Sequence, residues 1–156
     1  LTSGLFYSYV VVDVPLLVSN IEGCERDDWA DANRDIAAEV VDRFVRLLTQ
    51  VSPGAKLGST APYSYAQCLL AEAGDTQPRT LANAFQEPAS KEGDLLKNSY
   101  EKLAEYLDEI DSMYGQRTDR RLAGMGDIDP LVDAAGVDDT QPVPEVAEWA
   151  ASQVRG

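Results

Sequence analysis

The sequence predicts an α/β fold of the α+β kind, on three observations. Residues 5–14 (LFYSYVVVDV) are aromatic and β-branched, with Asp13 as their one charge. The next long segment, to Val51, repeats apolar residues at helical spacing. Residues 65–73 (YAQCLLAEA) then return to a strand-like run. Strand, helix and strand over 4–74 predict a βαβ unit whose strands run parallel on one side of the helix. The remainder, 79–156, reads as helical and extended chain in the same domain.

Each element has a local cause. The run 5–14 is apolar on both faces, which predicts a central strand. Leu5, Tyr7, Tyr9 and Val11 share one face, and Phe6, Ser8, Val10 and Val12 the other, with Pro15 as the exit. Aromatics on one strand face could stack on bases, but a buried core is their commoner fate. A loop with Asn20, Gly23 and acids Glu25, Asp27 and Asp28 follows; acids before a helix complement its positive end.

The helix begins at Asp28 or Asn33 and runs to Val51. Ile36, Ala37, Val40, Val41, Phe44, Leu47, Leu48 and Val51 make its apolar face, with Glu39, Asp42, Arg43 and Arg46 opposite. Residues 80–85 (TLANAF) form a short helix stopped by Pro88. Residues 94–114 carry Leu96, Tyr100, Leu103, Leu107, Ile110 and Tyr114 as a seam, with Glu101, Glu105, Asp108, Glu109 and Asp111 in water. Gly115 ends that helix, and Arg117, Arg120 and Arg121 beyond it answer its dipole. The acidic tail around 126–145 reads as extended chain, and 144–154 as a small helix with Val146, Trp149 and Ala150 inward.

Residues 52–65 (SPGAKLGSTAPYSY) join the long helix to the second strand. They hold one cation, Lys56, among Gly54, Gly58, Ser59 and Thr60, inside a stretch free of acids from Asp42 to Glu72. Glycine-freed backbone, small hydroxyls and a lysine suit a phosphate. On spacing alone the segment reads first as a glycine- and proline-broken turn, and the phosphate reading comes second. It is not a nucleotide P-loop: Lys56 precedes Gly58, and the chain runs from helix into strand.

Composition narrows the function. A length of 156 residues with 44% hydrophobic content allows one domain with a real core. A net charge of -14 argues against nucleic acid held across the whole surface, so any polyanion meets a local patch. The absence of histidine removes the usual general base and the commonest metal ligand. Cys24 and Cys68 lack the spacing of a zinc site and read as reduced cytosolic thiols. No apolar run approaches transmembrane length. The chain opens on Leu1 and is in strand pattern by Leu5, which predicts that part of the fold lies upstream.

Taken together, SGLFYSYVVVDV, VSPGAKLGSTAPY, TLANAF and PEVAEWA resemble the C-terminal half of the CasC-type backbone subunit of the type I-E CRISPR Cascade complex, over residues 3–149. The resemblance implies the second half of a modified RNA-recognition-motif (ferredoxin-like) palm with added C-terminal helices, incomplete alone. A strand from the missing half, or one from a second chain, would fill the sheet. It implies copies of the subunit in a filament on one CRISPR RNA, with other Cascade subunits alongside. Target DNA is read through the guide by base pairing, a division also found in single-effector systems. It implies a cytoplasmic protein with no catalytic residue, cofactor or metal. Lys56 would be the RNA phosphate contact, Ser59 and Thr60 donors, and Gly54 and Ala55 shapers of the turn. The alternative is an acidic α/β protein–protein module without RNA binding. An enzyme using carboxylates ranks last, since no nucleophile motif is present.

Overall fold

A computed structural model describes residues 5–51, 64–116 and 118–156. Along the chain come α1 (Val14–Glu22), α2 (Asp35–Gln50), β1 (Cys68–Ala73), α3 (Leu95–Tyr114), β2 (Asp119–Gly124), α4 (Asp129–Ala135) and α5 (Val143–Arg155). Short 3-10 turns occupy Arg26–Asp31 and Ala82–Phe85. The class is α+β, with one two-stranded antiparallel sheet among the described residues.

The long helices start and stop where their sequences dictate. Asp94 caps α3, its Oδ1 accepting from the N–H groups of Leu96 at 2.9 Å and Lys97 at 3.2 Å. Gly115, at φ 77, lets the chain leave that helix. Two helices appear where loop or extended chain was expected. At α1, Asp13 Oδ1 accepts from Leu16 N at 3.0 Å, and Pro15 sits in the first turn. Proline there starts a helix as readily as it ends a strand. At α4, Pro130 lies in the first turn and Gly136 closes the last one in the left-handed conformation.

Among the described residues the parallel βαβ unit is not formed. Residues 5–13 belong to no strand or helix, and β1 pairs instead with β2, antiparallel, with Leu70 opposite Leu122 and Glu72 opposite Arg120. A strand's ladder needs a partner that local sequence cannot specify. Segment 5–13 is tied elsewhere by Tyr7, whose hydroxyl accepts from Leu81 N at 3.0 Å and whose ring meets Phe85. The sequence does not announce β2, because DRRLAG has no β-branched residue and its arginines resemble charges after a helix.

The ribbon lies between two helical layers. On one side Cys68, Leu70 and Leu122 join α3 and α4 in a core centred on Leu103, Leu107 and Leu131. On the other, α5 packs on the ribbon and along α2. A second core forms where Val18 of α1 meets Ala37, Ala38 and Val41 of α2 and Ala151 and Val154 of α5.

That second core uses only part of the α2 apolar arc. Ile36, Val40, Leu47, Leu48 and Val51 stay exposed, although the periodicity places them on an inward face. Phe6, at 95% exposure, and its neighbours along 5–12 are likewise open.

Candidate functional site

The segment 52–63 carries Lys56, Ser59 and Thr60, with Gly54 and Ala55, and lies outside the described residues. Its two stems are described, and they are pinned together. Ala66 N donates to Thr49 O at 2.7 Å, joining the end of α2 to the approach to β1. One residue on, Met125 N donates to Gln67 O at 3.0 Å, which extends the ribbon past its last ladder pair. The Tyr100 hydroxyl lies 3.1 Å from Gln67 O and 3.0 Å from Met125 O, so α3 holds both strand ends. The described residues on either side are therefore braced.

A cleft of about 150 Å³ opens here, lined by Thr49, Ala66, Gln67, Ala123, Met125 and Gln141, among others. Its walls are mostly aliphatic. Gln141 is placed by a backbone bond from its N–H to Leu122 O at 2.7 Å. The side-chain Oε1 of Gln141 is buried and has no hydrogen-bond partner. Beside the cleft, burial pushes the Cys68 thiol up to about 12. Burial first, then the neighbouring Cys68, pushes the Tyr100 phenol up to about 12 as well. Both therefore stay neutral at physiological pH, and a thiol so held is a poor nucleophile.

Of the arginines read as answering the α3 dipole, Arg120 and Arg121 are engaged elsewhere. Arg120, its side chain 1% exposed, donates from Nε to Glu72 Oε1 at 2.8 Å and from Nη2 to Asp111 Oδ1 at 2.8 Å. Burial alone would lower its pKa; hydrogen bonds to Asp111 and then Glu72 outweigh that and hold it above the ordinary arginine value. Arg79 reaches the same two carboxylates at 3.3 Å and 3.5 Å, and the Thr118 hydroxyl donates to Glu72 at 3.1 Å. Asp111 thus leaves the solvated row in which its helical spacing placed it. Arg121 points to the other face of the ribbon, its guanidinium 5.1 Å from the Trp149 ring centre. Arg117 lies outside the described residues.

This cluster is a charge-balanced clamp between the ribbon and α3. The sequence carried only a faint sign of it, namely two arginines beside a helix with acids on several faces. Glu72 and Asp111 lie too far apart in sequence for spacing to connect them. Among the described residues no group of His, Cys, Asp or Glu could hold a metal ion, and both cysteines are free. No described helix is long and apolar enough to cross a membrane.

The chain belongs to the CT1975-like protein family, a CRISPR-associated (Cas) family, whose model matches residues 1–149. No curated protein matches it.

Proposed function

We propose that the chain is the back portion of a CasC-type backbone subunit of a Cascade complex, holding the guide RNA by its sugar–phosphate chain without catalysis. The observation that carries this reading is the match to a CRISPR-associated family over residues 1–149, taken with the resemblance of the 51–63 motif to that subunit. In this role Lys56 meets an RNA phosphate, with Ser59 and Thr60 as donors. Copies of the subunit repeat that contact along the strand, which multiplies a modest single term. Other Cascade subunits flank the filament, and target DNA is engaged through the guide, in the cytoplasm.

The open apolar surfaces support the same proposal. Segment 5–13 belongs to no strand or helix and exposes apolar side chains such as Phe6, Val10 and Val11, and α2 exposes Ile36, Val40 and Leu47. Backbone of this kind calls for a strand beside it, supplied by the front portion of the subunit or by a second chain.

The test is Lys56→Ala in the full subunit. Affinity for guide RNA falls, and the slope of log K against log salt drops by about one unit. An unchanged slope removes Lys56 from the site.

One observation favours a second reading, an acidic protein–protein module. The net charge is -14, and among the described residues Arg26, Arg43, Arg46, Arg79, Arg120 and Arg155 each sit in an ion pair. RNA copurifying with the full subunit, seen as raised absorbance at 260 nm, decides between them.

A further inference from the structure

We propose that the cleft between the Ala82–Phe85 turn and α3 is a docking site for an arginine-rich segment of a partner protein, with Glu87, Glu105 and Glu109 taking its guanidinium groups and the Tyr106 ring stacking on one of them. The inference goes beyond the RNA-binding reading and uses none of its residues.

Shape comes first. The cleft holds about 500 Å³, within the range of ligand sites and more than a lone side chain fills. Asn83, Gln86 and Glu87 line it from the turn and just past it, and Glu105, Tyr106 and Glu109 from α3. Both walls are anchored from behind. Tyr106 and Ala84 pack against the core that α3 shares with the ribbon. Phe85 meets the Tyr7 ring, and Leu81 N donates to the Tyr7 hydroxyl at 3.0 Å. Docking therefore needs little reordering of either wall.

Charge names the occupant. Glu101, Glu105 and Glu109 stand four residues apart along α3, an exposed stripe of one sign. Each such neighbouring pair weakens a helix, and a cation bound between them removes the cost. Elsewhere the chain answers its acids locally: Glu39 with Arg43, Asp42 with Arg46, and Glu72 and Asp111 with Arg120. In the cleft it does not. Lys102 lies there, yet no ion pair or hydrogen bond among the described residues engages its ammonium or the side chains of Glu87, Glu105 and Glu109. Three carboxylates against one ammonium attract a cation and repel a phosphate chain, which selects a basic protein segment over RNA. Arginine suits the site better than lysine. Its planar fork meets carboxylates in pairs, the amide oxygens of Asn83 and Gln86 can accept its remaining hydrogens, and it stacks on aromatic faces.

The experiment uses the full subunit and fluorescein-labelled hexaarginine, with hexalysine alongside, at physiological salt. Glu105→Gln with Glu109→Gln weakens hexaarginine binding by roughly 3- to 30-fold, as two exposed charge contacts do together. Glu22→Gln with Glu25→Gln removes the same charge at the end of α1, which packs on α2. That pair changes binding by less than about 2-fold, because salt screens charges more than about 8 Å away. The melting temperature of the peptide-free protein holds or rises with the Glu105 and Glu109 changes, since a like-charge pair has gone. Hexalysine binds more weakly than hexaarginine, and Tyr106→Leu narrows that gap.

Equal losses in the two double variants overturn the proposal, because the peptide then reads net charge alone. Unaltered hexaarginine affinity in the Glu105 and Glu109 variant also overturns it, the stripe then being plain solvated surface. A fall in guide-RNA affinity in that variant does the same, because the cleft would then serve RNA. An arginine preference that is absent, or that survives Tyr106→Leu in full, overturns it too; where Tyr106→Leu does not fold, the two double variants decide alone. None of these results depends on whether Lys56→Ala changes the salt slope.

Discussion

Arg120 on β2 and Asp111 on α3 face each other with Nη2 and Oδ1 2.8 Å apart, behind a surface that leaves the arginine side chain 1% exposed. Glu72, the cross-strand partner of Arg120, takes the Nε hydrogen at 2.8 Å. One guanidinium therefore ties both strands of the ribbon to the longest helix.

Removing that guanidinium strands two carboxylates. Arg120→Met is expected to destabilise the protein by about 3 kcal/mol, because a broken buried pair leaves its partner's charge uncompensated. Arg79 stays close enough to soften the loss. Urea unfolding should show a lower midpoint with the same m value. Adding Asp111→Asn should recover part of the loss; strictly additive effects would mean that the two residues do not interact.

Cys68 and Tyr100 set the alkaline limit. Both carry pKa values raised in the folded state to about 12, from ordinary values of 9.0 and 10.0. The stability they hold is complete below pH 9 and is lost as pH climbs from 9 toward 12, because the unfolded chain ionises first. Tyr100→Phe should cost about 1 kcal/mol at pH 7 through its hydrogen bond to the strand ends. It should also flatten the part of the decline above pH 10. Melting temperatures across pH 8–11 check both effects.

What was legible in the sequence follows from how local its cause was. The helix α3 was readable because Asp94, the Leu96–Tyr114 seam and Gly115 all act within a few residues of one another. The helices α2 and α5 were readable for the same reason. Segment 5–13 was not, because a strand exists only with its neighbour, and the composition of LFYSYVVVD does not name one. β2 was hidden for the opposite reason. Its arginines owe their place to Glu72 and Asp111, which arrive from other elements. The α2 periodicity marked an apolar arc correctly but could not say that α5 covers only one side of it. The cleft at the ends of β1 and β2 is lined from α2, both strands and the start of α5, and no motif marks it. The residues named for RNA, Lys56, Ser59 and Thr60, fall outside the described structure.

The core around Leu107 offers a test of that packing. Leu107 is fully buried between α3, α4 and the ribbon. Leu107→Ala is expected to cost 2–5 kcal/mol, as buried leucine truncations do. The same change at exposed Leu47 should cost less than about 0.5 kcal/mol in the chain alone. Equal losses at the two sites would mean that α2 is covered on both sides.

The open face of α2 can be probed directly. Ile36 and Leu47 are 55% and 54% exposed on the arc that α5 leaves bare. A patch of this kind on a folded protein marks a surface that something else covers. Ile36→Glu with Leu47→Glu should leave the melting temperature of the isolated chain nearly unchanged and reduce its binding of a hydrophobic dye. In the full subunit the same pair should be strongly destabilising, because two carboxylates would then be buried without partners. If the double variant is equally tolerated in both settings, the face is ordinary surface and the sheet is completed without it. If it unfolds the isolated chain, α2 already has its second layer there. The intended contrast, mild alone and severe when complete, follows only if the apolar arc of α2 awaits another part of the assembly.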